Sequence, residues 1–459
     1  MDDLHNTYGV VGEGSDERGC YKITLLSMLR GGKPKPYKVY AKPIKHIVND
    51  SAPTLRGWYK DKNEPPSKRP RPCYTEALLT TPYGGYCPVG CKFCYVSHGT
   101  RGYRASGIVT VNPDYPDAVR RNLSKMYIGS SAYISSFIEP FLHLEKQYHV
   151  TQRLSQVFVD VGLPIFYLTR LIPPDWAIEY LLHNPYSYMQ WSINTSNEKH
   201  RKLMSPGTAS LDDMLSCIGR VRSVGIYVSI QCNPVLAGIT TLDELVGVVK
   251  LVAEAGANHI IFKFVEQVYS NRALLFRRLS KLPGVDVMDK LLSQRIGGCY
   301  TIRQDVRIEW LRVLLEETRK AGITMSTCYE YYDDGTQGGA NLAPWFTTAD
   351  QCHGLGVPVH YRLELGEKFR PLPGCWRKGC LYCNEYGTKV CNSELLLSAK
   401  ALKCADYRER LAVAGDAADW LLPDSCAKPS LVKKSRAANP DMMTDAELWG
   451  WGDISEYVS

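Results

Sequence analysis

Ala77-Leu78-Leu79-Thr80-Thr81-Pro82-Tyr83-Gly84-Gly85-Tyr86-Cys87-Pro88-Val89-Gly90-Cys91-Lys92-Phe93-Cys94 is the stretch on which the reading of this chain turns. Its opening apolar run, residues 77–81, is too short for a helix and reads as a strand. Directly beyond it three cysteines stand in a C-x3-C-x2-C run, with Gly90 just before the second. Three thiolates this close in a flexible loop can wrap one face of an iron–sulfur cube and leave its fourth iron without a protein ligand. An open iron can take a small chelating molecule, as an open catalytic metal position does. Zinc is the competing reading, because structural zinc sites close with a fourth Cys or His and His98 stands at a usable spacing. Position favours the cluster. The loop follows the first strand of an alternating series, where catalytic loops sit.

Working outward, further strand candidates lie at 132–137, 165–169, 189–193, 227–235, 259–265 and 324–327. Helical periodicity occupies 117–126, 151–161, 175–183, 211–224, 242–255 and 303–321 between them. Alternating βα units predict an α/β protein, with parallel strands and outer helices closed fully or partly into a (β/α) barrel over 76–327. In that architecture chemistry belongs at the C-terminal ends of the strands. Residues 1–75 read as an irregular N-terminal extension with a strand-like run at 20–29. It becomes basic and proline-rich at 62–72 (KNEPPSKRPRP), a solvated linker or an arm that touches phosphates. Residues 328–395 read as a loop-rich, cysteine-rich unit held by metal rather than by a core. Residues 396–459 read as the end of a helix (394–413) and a polar tail.

Composition narrows the class. Over 459 residues, 44% are hydrophobic and 22% charged, as in an ordinary soluble globular chain with room for two to four domains. No apolar run approaches the roughly 18 residues of a bilayer span, and the acidic, polar start Met1-Asp2-Asp3-Leu4-His5 is unlike a secretory signal. A membrane protein and a secreted disulfide scaffold are thereby excluded, and a cytoplasmic location is expected. In such a chain 16 cysteines point to metal or redox chemistry. The balance of 55 basic against 47 acidic residues, formally +8, suits an anionic substrate or nucleic acid, and equally a slightly basic solvated surface.

The cysteine run, with the aromatic Phe93 before its third cysteine, resembles the hallmark of the radical S-adenosylmethionine (radical SAM) superfamily. Four further stretches resemble its spore photoproduct lyase-like branch. One is Thr80-Thr81-Pro82-Tyr83-Gly84-Gly85. Another is Ile134-Ser135-Ser136-Phe137-Ile138-Glu139-Pro140 with His143-Leu144-Glu145. The others are Tyr167-Leu168-Thr169-Arg170, and Trp191-Ser192-Ile193-Asn194-Thr195-Ser196 leading to Met204-Ser205-Pro206-Gly207. The likeness covers about residues 75–330. It implies that Cys87, Cys91 and Cys94 hold a [4Fe-4S] cluster whose fourth iron is chelated by the amino and carboxyl groups of S-adenosylmethionine. Reductive cleavage of the sulfonium then yields a 5′-deoxyadenosyl radical. It also implies that Phe93 faces the cofactor and that Ser135 and Ser136 meet the methionine amino group. Arg170 pairs with the methionine carboxylate, a bidentate task that suits a guanidinium. Ser192 and Asn194 lie near the ribose, and 228–234, ending in Pro234, lies beside the adenine. A one-electron donor such as flavodoxin or ferredoxin is the implied partner. One departure matters: spore photoproduct lyase proper carries a hydrogen-donating cysteine beside the strand-two serine, and none stands at 134–136. The likeness therefore carries over the fold and radical initiation, and not repair of the spore thymine lesion.

A second constellation, Cys375-Trp376-Arg377-Lys378-Gly379-Cys380-Leu381-Tyr382-Cys383, is joined by Cys391 beyond it and by Cys328 and Cys352 upstream. Thiolate-only ligation favours an auxiliary [4Fe-4S] cluster on Cys375, Cys380 and Cys383, with Cys328, Cys352 or Cys391 as fourth ligand; structural zinc is the alternative. Because Cys328 directly follows the last strand candidate, such a cluster would face the open end of the barrel. Cys299, in a glycine-flexible loop, is a candidate hydrogen donor, though a plain unpaired thiol explains it as well. The expected activity is radical chemistry on a nucleobase, nucleoside or nucleic acid, its type open among lyase, isomerase and transferase. A peptide or small metabolite is the alternative substrate. A zinc-bound interaction module without catalysis is the alternative from another class.

Overall fold

A computed structural model describes residues 7–26, 33–48, 56–57, 77–94, 107–126, 128–135, 137–296, 298–328, 330–335, 340–349, 352–358, 360–362 and 364–371. Seven parallel strands carry the fold: β1 (Ala77–Thr80), β2 (Ser131–Ile134), β3 (Ile165–Thr169), β4 (Tyr188–Ser192), β5 (Tyr227–Val235), β6 (His259–Phe264) and β7 (Thr324–Thr327). They are hydrogen-bonded in chain order from β1 to β7, and Arg56–Gly57 pairs antiparallel on the β1 edge. The helices that alternate with them are α1 (Tyr115–Leu123), α2 (Val150–Val161), α3 (Asp175–Leu182), α4 (Leu211–Ser223), α5 (Leu242–Glu254) and α6 (Gln304–Lys320). This is the expected parallel (β/α) series. Among the described residues the sheet stays open between its edges, as a partial barrel.

Local chemistry sets these elements. On α5, Leu245, Val248, Val249 and Val252 recur at helical spacing and are buried, while Thr241 and Glu244 form a capping box at its start. In β4 every residue is buried, as in a strand covered on one side by helices and on the other by the lumen. Strand alternation sorts the two faces. Tyr167 faces the helices, donating to Ser155 of α2 at 2.7 Å. Tyr133, Phe166, Tyr188 and Tyr227 stand in register on the inner face. The Tyr133–Phe166 and Phe166–Tyr188 rings stack at 4.4 and 4.6 Å.

The segment 352–358 closes this N-terminal end of the barrel. His353 packs against Phe166 at 5.2 Å, and the Cys352 carbonyl accepts from Ser326 Oγ at 2.6 Å. The same carbonyl lies 3.1 Å from His259 Nε2, and burial pushes His259 down to about 3, so the ring is neutral. Gly354 lies so close to the His259 ring and the Tyr227 hydroxyl that any Cβ would collide with both. With the bottom plugged, access is left to the strand C-termini.

Two expectations are corrected. The N-terminal extension is not irregular where it is described. Thr7–Asp16, Gly19–Leu26, Lys35–Tyr40 and His46–Val48 form an antiparallel sheet that continues onto Val109–Val111 and Tyr83–Gly85, flanking the cysteine loop. The sheet hid in the sequence because its strands are largely exposed and share only a small core of Leu26, Val39, Ile47 and Ile108. Likewise, the described part of 328–371 does not lack a core: Leu342, Phe346 and Phe369 are buried in the main hydrophobic cluster. The basic arm at 62–72, the helix at 394–413 and the tail lie outside the described residues. No described helix is long and apolar enough to cross a membrane.

Candidate active site at the strand C-termini

The cysteine loop leaves β1 through Tyr83–Gly85 and is braced from below. Tyr83 donates its hydroxyl to buried Glu145, whose carboxylate also accepts the main-chain N–H groups of Thr151 (3.0 Å) and Gln152 (2.8 Å) at the start of α2. Turns from Gly90 N to the Cys87 carbonyl (3.1 Å) and from Cys94 N to the Cys91 carbonyl (3.2 Å) fold the three cysteines into one loop. The Met204–Gly207 stretch supports it from the far side. Lys92 N donates to the Met204 carbonyl at 2.9 Å, and Gly207 N to the Val89 carbonyl at 3.0 Å. A Cβ at Gly207 would lie 2.8 Å from Val89 Cα, so glycine is required there.

Burial pushes the Cys87 thiol up to about 12, reinforced by the charges of Cys91 and Glu139 and opposed by backbone hydrogen bonds from Glu139 and Val89. A thiol held protonated in this way gives up its proton to a metal rather than to water. Among the described residues no three His, Cys, Asp or Glu side chains converge on a single metal-ion position. A cluster does not ask for that, since each thiolate takes its own iron.

Ser135 follows β2 and is the clearest sign of a ligand. Its φ of 79° lies in the left-handed region that residues bearing a Cβ rarely adopt. Its main-chain N–H is fixed to the Thr80 carbonyl at 3.0 Å. Its hydroxyl is buried with no hydrogen-bond partner, and so is that of Ser205. An unmatched buried hydroxyl costs about 1–3 kcal/mol unless a ligand supplies the bond. The fit to an amino- and carboxyl-bearing cofactor rests on this pair.

Ser205 lines a small hollow with Phe93, Arg170, Ser192, Asn194 and Met204. Arg170, just past β3, organises it. Its guanidinium donates to Asn194 Oδ1 at 2.7 Å and to the carbonyls of Ser192 (3.3 Å) and Asn233 (3.0 Å), and lies 5.2 Å from the Phe93 ring centre. Asn194 in turn donates to the Pro234 carbonyl at 2.6 Å. The amide of Asn194 thus positions Arg170 against β5. From the other side, buried Glu139 accepts from Thr169 Oγ1 at 2.6 Å and from Arg170 N at 2.9 Å. Burial holds the Glu139 carboxyl above the ordinary carboxylate range, partly countered by those hydrogen bonds. Since its main chain also bonds Cys87, Glu139 joins the cysteine loop to the arginine.

The structure therefore gathers Cys87, Cys91, Cys94, Phe93, Ser135, Arg170, Ser192, Asn194 and Pro234 at the ends of β1 to β5. Ser136, Cys375, Cys380, Cys383 and Cys391 lie outside the described residues. Cys328 directly follows β7, its N–H on the Phe262 carbonyl at 2.9 Å, whereas the Cys352 carbonyl is tied to Ser326, two residues before it. Cys299 is half-buried in a small antiparallel sheet with Glu266–Val268 and Gln294–Ile296, beyond the end of β6. Glu139 and Glu145 stand within the motifs given above, where nothing local in the sequence marks their role. Sequence reasoning missed Glu244, which receives Thr195 Oγ1 at 3.0 Å and Asn197 Nδ2 at 3.1 Å and so clamps the segment after β4 onto α5. It also missed the charged group around Lys263 and Glu330, whose partners are far apart in the chain.

A partial parallel barrel with a three-cysteine loop after its first strand and a polar hollow beside it is the architecture of a radical SAM enzyme, and this chain belongs to the radical SAM superfamily. Residues 81–252 match the model of that superfamily. A protein of Pseudomonas phage M6 named radical SAM Nα-GlyT isomerase is 40% identical over 411 residues, covering 85% of this chain and 86% of the relative. Among solved structures, spore photoproduct lyase complexed with dinucleoside spore photoproduct is 16% identical at a TM-score of 0.40, covering 61% of this chain and 81% of that one. SuiB from Streptococcus suis is 14% identical at a TM-score of 0.37, covering 55% and 49%. The chain is an enzyme of this superfamily, whose cofactors are a [4Fe-4S] cluster and S-adenosylmethionine. The alternative of a zinc module without catalysis falls.

Proposed function

We propose that the chain is an isomerase of the substrate class named for its phage relative, Nα-GlyT, which we read as a thymine base or nucleoside bearing a glycine unit through its α-nitrogen. The observation that carries this reading is identity of 40% sustained over 85% of the chain and 86% of the relative. It agrees with the nucleobase class expected from the sequence and favours that class over the peptide or small-metabolite alternative. Cys87, Cys91 and Cys94 hold the cluster; Ser135, Ser136 and Arg170 take the amino acid end of S-adenosylmethionine, and Ser192, Asn194 and the stretch ending at Pro234 take its nucleoside. The bound cofactor supplies a 5′-deoxyadenosyl radical. An isomerisation leaves the composition and oxidation level of the substrate unchanged, so hydrogen removed at the start returns at the end. Cys299 is then not required as an outside donor.

Two further parts belong to the proposal. Cys375, Cys380 and Cys383 bind an auxiliary [4Fe-4S] cluster completed by Cys328 at the strand C-termini, since Cys352 lies in the segment that closes the opposite end of the barrel, with zinc as the alternative occupant. The electron comes from a flavodoxin- or ferredoxin-type donor in the cytoplasm. The test is anaerobic incubation of the iron-reconstituted protein with S-adenosylmethionine, a reductant and a thymidine carrying glycine through its nitrogen. The expected product has the mass of the substrate and a new chromatographic position. Formation of 5′-deoxyadenosine without any such isobaric product would overturn the reading.

A further inference from the structure

Lys263 shares the inward face of β6 with His259 and Ile261 and stands at the C-terminal end of the strand, where substrate enters a barrel. Its ammonium lies 3.0 Å from Glu266 Oε2 and 3.4 Å from Glu330 Oε1. The two carboxylates differ in kind. Glu330 is fully buried and committed at both oxygens: Oε1 accepts the main-chain N–H of Phe264 at 2.5 Å, and Oε2 accepts from Arg307 at 2.8 Å. The Arg307 side chain is 1% exposed, whereas those of Lys263 and Glu266 keep 13% and 17%. A sealed inner pair, Arg307–Glu330, therefore backs a partly open outer pair, Lys263–Glu266.

Burying charge costs several kcal/mol per ion unless every partner is in place. The inner pair meets that condition and is structural. The outer pair offers one fixed cation and one carboxylate side by side at the barrel mouth. An α-amino acid unit presents the complementary pattern, a carboxylate and a nitrogen separated by a single carbon. We propose that Lys263 and Glu266 are the residues that recognise the amino acid unit of the substrate, Lys263 taking its carboxylate and Glu266 its α-nitrogen N–H. Binding then exchanges the Lys263–Glu266 ion pair for two contacts to substrate, and with the α-nitrogen protonated no net charge is left buried. The inference rests on the glycine-bearing substrate proposed above.

The test is equilibrium binding to the reconstituted holoenzyme without reductant, so that no turnover intervenes. The probes are the glycine-bearing thymidine and its carboxamide analogue. Charge-assisted hydrogen bonds of this kind discriminate by about ten- to hundredfold. The wild-type protein should prefer the carboxylate by that factor, Lys263→Gln should bind both probes equally and weakly, and Lys263→Arg should restore part of the preference. Glu266→Gln should weaken both probes together. If wild type prefers the carboxylate and Lys263→Gln keeps the preference, the recognition role is overturned while the substrate reading stands. If wild type binds neither probe, the substrate reading falls and this inference with it. Loss of folding in Lys263→Gln is met by Lys263→Arg, in which a reduced preference for the carboxylate supports the role and an unchanged preference overturns it.

Discussion

Ser135 and Ser205, on the side of the mouth formed by β2 to β4, are buried with hydroxyls that bond nothing, whereas Glu330 and Arg307, just after β7 and at the start of α6, are buried with their charges engaged. The first side carries a strained backbone at Ser135 and an arginine held in place by a neighbouring amide and two carbonyls. Its geometry is complete only with a bound group. The second side is complete by itself and can only exchange partners. One barrel mouth thus combines a region that a ligand stabilises with a region that a ligand must compete for, and different mutations separate the two.

The largest effect should come from the cysteine loop. Replacing Cys87, Cys91 and Cys94 together by alanine should remove about four irons per chain and abolish 5′-deoxyadenosine formation, with the helical circular dichroism retained. Iron analysis beside a 5′-deoxyadenosine assay checks this, and any remaining cleavage would break the assignment of the first side. Next comes Arg170→Ala, which removes the guanidinium that Asn194 positions. Affinity for S-adenosylmethionine should fall by about ten- to hundredfold, and Arg170→Lys should recover only part of it because an ammonium cannot bond two groups in a plane.

Ser135→Ala sharpens the comparison, because its two consequences have opposite signs. Removing an unmatched hydroxyl should leave the ligand-free protein as stable as before or up to about 1 kcal/mol more stable, while cofactor affinity drops about tenfold. Denaturant unfolding and a binding titration on the same variant read both. The effect confined to acid pH lies at the closed end of the barrel. Burial lowers His360 from 6.5 to about 4, with the Pro358 carbonyl opposing. A depressed pKa gives stability that is present above pH 6.5 and is lost as pH falls towards 4, at up to about 1.4 kcal/mol per pH unit. His360→Asn, which can keep the bond to Pro358, should unfold with a shallower pH dependence in that window and an unchanged one above pH 7.

The barrel was legible because strand length and helical periodicity are local. Residues 165–169, 227–235 and 324–327 match their strands to the residue, and the other strands and helices of the alternating series fall within three at either end. The grouping of Cys87, Cys91, Cys94, Ser135, Arg170 and Asn194 was legible for the same reason: each follows a strand within a motif of a few residues. The charged side was not. The Lys263–Glu266 pair, Arg307 and Glu330 come from three places in the chain and meet only because β6, β7 and α6 converge. The N-terminal sheet escaped for another reason, since exposed antiparallel strands with a four-residue core leave little hydrophobic alternation to read.

The division of labour between the two sides is tested most directly by crossing two ligands with two variants. Binding of S-adenosylmethionine and of the glycine-bearing thymidine is measured separately on reconstituted Arg170→Ala and Lys263→Gln. A crossed pattern is expected: Arg170→Ala loses about tenfold or more for S-adenosylmethionine and keeps the nucleoside, and Lys263→Gln does the reverse. Loss of both ligands in either variant, or of neither in both, would contradict it.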